Sequence, residues 1–62
     1  MQLIIEMRRK GITQNMLAEL LGISINSMSQ KMTGKRQFKA KEMILIRDTY
    51  FPDKTLDQLF LS

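Results

Sequence analysis

The chain has 62 residues, of which 44% are hydrophobic, and its ten lysines and arginines outnumber its six acidic residues to give a net charge of +4. A chain this short forms one small domain, residues 1–62, with a marginal core and no room for a deep substrate cavity. It contains no cysteine and no histidine, which excludes disulfides, thiolate chemistry and the commonest general base and metal ligand. We therefore expect no enzyme, no cofactor and no small-molecule substrate.

The chain has no feature of a membrane or secreted protein. No apolar run approaches the roughly 18 residues that a membrane-spanning helix needs. The opening segment, MQLIIEMRRKG, carries its basic residues after its apolar ones, the reverse of the order in a secretory signal. We expect a cytoplasmic protein with no membrane partner.

The first predicted helix covers residues 2–10. Leu3, Ile4 and Met7 are spaced so that they share one face of a helix. Gly11 follows, and glycine readily adopts the left-handed conformation that ends many helices.

The second and third predicted helices are joined by only three residues. Thr13 is expected to cap a helix over residues 14–21, and Ser24 a helix over residues 25–32, because hydroxyl side chains accept hydrogen bonds from free backbone amides at helix starts. Gly22 breaks the second helix. The intervening turn therefore predicts a compact helix pair.

Six methionines are present, and most fall at inward helical positions. We expect Met7, Met16, Met28, Met32 and Met43 to fill the core rather than to form an adaptable binding groove. Met16 also stands where a complete capping box has Glu or Gln, so the cap of the second helix is expected to be half made.

Two further helices are predicted after the third. Phe38 is expected to pack just before a fourth helix over residues 40–50, which Pro52 prevents from continuing. Thr55 is the expected cap of a last short helix. The apolar residues of this helix are Leu56, Leu59, Phe60 and Leu61. They serve either as a dimer contact or as closure of the monomer core, and the sequence leaves both interpretations open.

The positive charge is concentrated in one part of the chain. No acidic residue lies between Glu19 and Glu42, whereas this window holds half of the basic residues: Lys31, Lys35, Arg36, Lys39 and Lys41. A one-sided basic stretch is typical of proteins that bind polyanions. The alternative is an ordinary solvated surface.

Residues 11–24, GITQNMLAELLGIS, resemble a known family pattern, Gly-Ile-Thr-Gln-x-x-Leu-Ala-x-x-Leu-Gly-Ile-Ser. The family is the Cro/repressor-type (XRE-like) helix-turn-helix family of phage and bacterial transcription regulators. Residues 33–36, Thr-Gly-Lys-Arg, are similar to its Asn-Gly-Lys segment after the recognition helix. The resemblance covers about residues 3–61 and is greatest to small phage-encoded regulators. It implies an all-α, compact five-helix lambda-repressor-like DNA-binding domain whose second and third helices form the helix-turn-helix.

The resemblance implies that the third helix enters the major groove of DNA and presents its N-terminal residues to the base edges. Four outward positions are candidates for base reading: Ile25, Asn26, Ser29 and Gln30. The amides of Asn26 and Gln30 can each form a bidentate pair with adenine. Ile25 stands where many relatives carry a polar residue, and it either contacts a thymine methyl or packs against a neighbouring helix.

A second set of residues is expected to bind backbone phosphates, which give affinity and register rather than sequence information. Gln14 occupies the first turn of the second helix, where relatives hold a phosphate at the helix N-terminus. The other candidates are Ser27, Lys31, Lys35 and Arg36. Lys31 departs from the family pattern, since many relatives bury an aliphatic residue there.

The expected function is that of a sequence-specific double-stranded DNA-binding transcription regulator in the bacterial cytosol or nucleoid. A phage or prophage repressor or Cro-like protein of this kind acts by occluding its operator. Relatives bind pseudo-palindromic operators as homodimers. The alternative is a protein–protein adaptor or antitoxin-like partner with the same fold, which predicts an exposed apolar patch and indifference to salt. A binder of single strands would need exposed aromatic side chains.

Overall fold

In a computed structural model, which describes residues 1–61, the chain forms five helices and no strand within that range. They are α1 (Leu3–Lys10), α2 (Gln14–Leu21), α3 (Ile25–Met32), α4 (Ala40–Tyr50) and a π-helical turn (Asp57–Leu61), called here the C-terminal turn. The predicted all-helical class and the order of five helices are confirmed. The domain was predicted over residues 1–62, of which residue 62 lies outside the described range.

The chain is about as compact as other folded chains of its length. Its radius of gyration is 10.4 Å, against about 10.6 Å expected for a folded chain of this length. The longest helix has 11 residues. None of the helices within residues 1–61 combines the length and the apolar character that crossing a membrane requires.

Two similar tripeptides, Gly-Ile-Thr at residues 11–13 and Gly-Ile-Ser at residues 22–24, set the ends of α1 and α2. Gly11 and Gly22 both have φ of +69°, a left-handed conformation that other residues adopt only at a cost. The isoleucine that follows each glycine donates its N–H back to a carbonyl of the preceding helix, at 2.9 and 3.1 Å. The third residue then caps the next helix, so each tripeptide ends one helix and starts another.

The cap of α2 differs from the half-made one that the sequence predicts. Thr13 Oγ1 accepts the Met16 N–H at 3.2 Å. In return, the Thr13 N–H points at the thioether sulfur of Met16 at 3.4 Å. The prediction was wrong because it counted only oxygen acceptors, whereas a thioether is a weak acceptor that can replace them.

One continuous core holds the helices together. α2 packs most closely on α3 and next on α4, while α1 packs on the C-terminal turn. A backbone hydrogen bond of 3.1 Å from Gln2 N–H to the Leu59 carbonyl joins the two ends of the chain. The largest fully buried side chains come from every part of the fold: Leu3, Leu17, Met28, Ile46, Phe51 and Leu59.

The ends of the chain show where simple periodicity is insufficient. Ile4, predicted on the inner face of α1, is exposed, because the core lies along the line of Leu3 and Met7. In the C-terminal turn Leu59 is fully buried, and Phe60 meets the ring of Phe38 edge-on with 5.2 Å between ring centroids. These two residues therefore close the core, whereas Leu61 is 76% exposed, so the segment closes the monomer core through Leu59 and Phe60 but not through Leu61.

Candidate nucleic-acid interface

The helix α3 has two chemically different faces. Its inner face is buried through Met28 and Met32. On the outer side Asn26 is exposed and Gln30 is half-buried, and the two lie one turn apart on the same face. Ile25, at the start of the helix, is 44% exposed. Ile25 therefore does not join the core, and its contact with a thymine methyl or with a neighbouring helix stays a prediction.

The polar side chains predicted to bind DNA are largely free of internal partners. Within residues 1–61, the side chains of Gln14, Asn26, Ser29 and Gln30 make no hydrogen bond or ion pair. Gln14 is exposed at the first residue of α2. Free amide and hydroxyl groups on a helix face can form hydrogen bonds to a partner molecule without first breaking bonds within the domain.

The N-terminus of α3 is capped by a pair of serines. Ser24 Oγ accepts the Ser27 N–H at 3.1 Å, and the Ser24 hydroxyl donates to Ser27 Oγ, also at 3.1 Å. Because Ser27 acts as the acceptor in this contact, its own hydroxyl proton remains available for another acceptor. The geometry is compatible with the predicted contact of Ser27 with a phosphate oxygen.

The side chain of Lys31 is buried, whereas the predicted phosphate contact requires it to be exposed. It is only 8% exposed, and its Nζ donates to Glu42 Oε1 at 3.0 Å and to the Gln37 carbonyl at 3.2 Å. It also lies 5.9 Å from the centre of the Phe38 ring. The ammonium is therefore used within the domain, and the aliphatic stem of Lys31 fills a buried position.

Glu42 is the second half of this buried ion pair. Burial raises the pKa of its carboxyl, but the Lys39 backbone amide and the ammonium of Lys31 together lower the pKa by more than burial raises it. The net shift is therefore downward. The Lys39 N–H donates to Glu42 Oε1 at 2.9 Å, the same oxygen that Lys31 reaches. One carboxylate thus joins the end of α3 to the start of α4.

The loop between α3 and α4 is folded back on the end of α3. The Gln30 carbonyl accepts the N–H groups of Lys35 at 2.9 Å and Arg36 at 3.2 Å. Gly34, with φ of +87°, allows the reversal. Lys35 and Arg36 are both exposed, so the fold presents two cations directly beyond the C-terminal end of α3.

The cations of this loop differ from most others in the protein. Four basic residues elsewhere lie within 4.0 Å of a carboxylate: Arg9, Lys10, Arg47 and Lys54. Among the carboxylates of residues 1–61, none pairs with Arg8 or with four residues that follow α3 in the chain: Lys35, Arg36, Lys39 and Lys41. The unneutralised charge is therefore concentrated after α3, where a polyanion would be attracted most strongly.

The chain matches no protein-family model, and no curated protein or solved structure is significantly similar to it. The resemblance of residues 11–24 and 33–36 to the helix-turn-helix family stays a prediction that rests on those residues.

The Lys31–Glu42 pair was missed by sequence reasoning. Two sequence signals pointed to it: Lys31 lies beside Met28 and Met32 on the apolar side of α3, and the family that the sequence resembles often buries an aliphatic residue at this position. A lysine side chain is ordinarily expected to be exposed to solvent.

Proposed function

We propose that the chain is a sequence-specific double-stranded DNA-binding protein that regulates transcription, with α2 and α3 as a helix-turn-helix. One observation carries the proposal. The outer face of α3 has polar side chains without internal partners, and unneutralised cations follow it at once. This combination supplies both hydrogen-bonding groups for base edges and positive charge for phosphates.

The length of α3 suits the major groove. An eight-residue helix is about 12 Å long, and the groove, about 12 Å wide, admits a helix with its side chains. Asn26 and Gln30 would lie along the groove, where each amide can pair with adenine. Ile25 and Ser29 flank them and would contact a thymine methyl and a base edge or water, respectively.

The phosphate contacts fall on both sides of this helix. Gln14 lies at the N-terminus of α2, where the helix dipole favours an anion. Ser27 retains a hydroxyl proton, and Lys35 and Arg36 extend the surface beyond α3. Lys31 has no part in this proposal, because its ammonium is bound to Glu42.

The proposed action is occlusion. A protein of this size that covers a promoter site competes with RNA polymerase without any further activity, as expected of a phage or prophage repressor or Cro-like regulator. A single recognition helix reads few base pairs, so specificity at the scale of a genome calls for two copies on a pseudo-palindromic operator.

The decisive experiment is selection of bound duplexes from a random double-stranded pool at moderate salt. We expect enrichment of a two-fold-symmetric sequence. The double substitution Asn26→Ala/Gln30→Ala should lose about 1–3 kcal/mol of specific binding for each base contact removed. Thermal unfolding should be nearly unchanged, since neither amide has a partner within residues 1–61.

A matched control is Gln2→Ala, which removes an exposed amide from the other end of the chain. It should leave the selected sequence and its affinity unaltered. If the wild-type chain enriches no sequence and its binding only fades as salt rises, the chain is a non-specific basic domain and the proposal fails.

The adaptor function remains the second candidate because α4 exposes two aliphatic side chains, Ile44 and Leu45. An adaptor should bind its protein partner with little dependence on salt, whereas DNA affinity falls steeply as salt increases. Titration of the salt concentration therefore separates the two functions.

A further inference from the structure

We infer that α4 pairs in an antiparallel manner with α4 of a second copy of this chain, through a stripe formed by Lys41, Ile44, Leu45 and Asp48. Positions separated by three and four residues lie on one face of a helix. The four residues therefore form a continuous surface, called here the α4 stripe. The inference rests on the proposed function for its role on DNA, but its test uses no DNA.

The stripe faces away from the core. Ile46, on the other side of α4, is fully buried, whereas Ile44 and Leu45 are each 42% exposed. Both line a shallow apolar groove together with Leu21, at the end of α2. Two adjacent half-exposed aliphatic side chains above a groove form an apolar patch that a partner can remove from water.

The order of residues in the stripe makes it complementary to itself. Lys41 lies three residues before Ile44, and Asp48 lies three residues after Leu45. A two-fold axis between residues 44 and 45 therefore places Lys41 of each copy opposite Asp48 of the other. The same rotation sets Ile44 against Leu45. A C2 interface requires this kind of self-complementarity, and the stripe, roughly 10 Å long, provides two ion pairs around an apolar centre.

The charges at the two ends of the stripe are available. Lys41 is exposed and pairs with no carboxylate among residues 1–61. Asp48 contacts Arg47 of its own helix, yet its side chain is 56% exposed. A carboxylate has two oxygens that accept several hydrogen bonds, so Asp48 can bind an ammonium from a second copy while it keeps Arg47.

The expected dimer is weak in solution. Four residues on each side, with part of Leu21, bury less than the roughly 1,200 Å² typical of stable complexes. Binding of both copies to one operator would raise their effective concentration and strengthen the pairing. The C-terminal turn offers one exposed apolar side chain, Leu61, against the two of the α4 stripe, since Leu59 and Phe60 already pack within the monomer.

The test is sedimentation equilibrium of the full chain without DNA, at low ionic strength and up to millimolar concentration. Lys41→Asp and Asp48→Lys should each weaken self-association about tenfold or more, because each places two like charges against each other across the axis. An equimolar mixture of the two variants should associate about as well as wild type, since the heterodimer restores both opposite-charge pairs.

Folding of these variants is expected to survive. Aspartate near the start of α4 and lysine near its end both agree with the helix dipole. Circular dichroism checks this before each run. Ile44→Ser is the apolar variant, and Ile5→Ser on α1 is its matched control, since Ile5 is similarly exposed at 47%. We expect Ile44→Ser to reduce association and Ile5→Ser to leave it unchanged.

Three results would overturn the inference. The wild-type chain could remain monomeric at millimolar concentration, and a partner of another kind would then cover the stripe. The charge variants could associate as wild type does, which would place the contact elsewhere. The mixture could fail to recover association, which would exclude the antiparallel arrangement. None of these results depends on whether the chain binds DNA, so failure of the proposed function shows separately in the duplex selection.

Discussion

Two regions of the molecule use the same kind of side chain for different purposes. Where α1 meets the segment after α4, cations hold the fold together: Lys10 Nζ lies 3.3 Å from Asp53 and donates to the Tyr50 carbonyl at 3.0 Å. Beyond α3, Lys35 and Arg36 extend into solvent without a carboxylate partner among residues 1–61.

This difference matters because a net charge of +4 does not by itself locate a binding surface. Paired cations produce little field at a distance, whereas unpaired ones attract a polyanion. Lys31 lies between the two regions in the sequence, but its ammonium is paired within the fold, as that of Lys10 is. Lys10 and Lys31 therefore stabilise the fold, whereas Lys35 and Arg36 are free to bind a partner.

The largest effect should come from Lys31→Met. It leaves the largely buried carboxylate of Glu42, 13% exposed, without its ammonium, and breaking such a pair costs about 3 kcal/mol of unfolding free energy. The double substitution Lys31→Met/Glu42→Gln should cost clearly less, because no unpaired charge remains and glutamine can still accept from the Lys39 N–H. Chemical denaturation of the three proteins measures this. Equal losses in the single and double variants would show that the ion pair is not the cause.

A smaller effect, on binding alone, should follow from Lys35→Ala/Arg36→Ala. We expect roughly tenfold weaker binding to duplex DNA at moderate salt, and a slope of log affinity against log salt that is shallower by about 1.8, since each lost phosphate contact removes about 0.9. The control Arg9→Ala/Lys54→Ala removes the same net charge from paired positions. A similar loss in both double variants would mean that only total charge matters.

The smallest effect should appear in the dependence of stability on pH. Burial raises the pKa of Glu42, but the amide of Lys39 and the charge of Lys31 lower it by more. A carboxyl whose folded pKa lies below its unfolded pKa stabilises the fold above the unfolded value, and this contribution disappears as the pH falls through the folded value.

Denaturation of wild type and Glu42→Gln across the acidic range tests this sign. The stability advantage of wild type should be full near neutral pH and shrink as the pH falls below the ordinary carboxyl range. Asp53, whose pKa is also lowered, by its own backbone amide and by Lys10, titrates in both proteins and cancels from the difference. An advantage that does not change with pH would contradict the lowered pKa.

Much of the fold follows from local chemistry that can be recognised in the sequence. The boundaries of α2 and α3 agree with prediction because Thr13 and Ser24 cap amides only three residues away. The outward position of Asn26 follows from helical periodicity once Met28 is placed inside. These contacts span a few residues, so the chain needs no knowledge of distant neighbours to specify them.

Other features depended on groups far apart in the sequence or on unusual chemistry. Lys31 finds Glu42 across the loop, 11 residues away. Whether Leu59 and Phe60 face a second copy or the core depended on where Phe38 and the start of α1 lie. The exposure of Ile44 could not be separated from that of Ile46 by apolar character alone, since both are isoleucines on one helix.

The sequence by itself determined the helices, their caps and the concentration of positive charge after residue 30, because capping, glycine conformations and periodicity act over one or two helical turns. Only the tertiary structure decided which cations are free and which are paired, which apolar side chains are covered, and that α4 keeps an exposed stripe. Those outcomes depend on packing and on charge pairs between different elements, and their geometry exists only after the chain has folded.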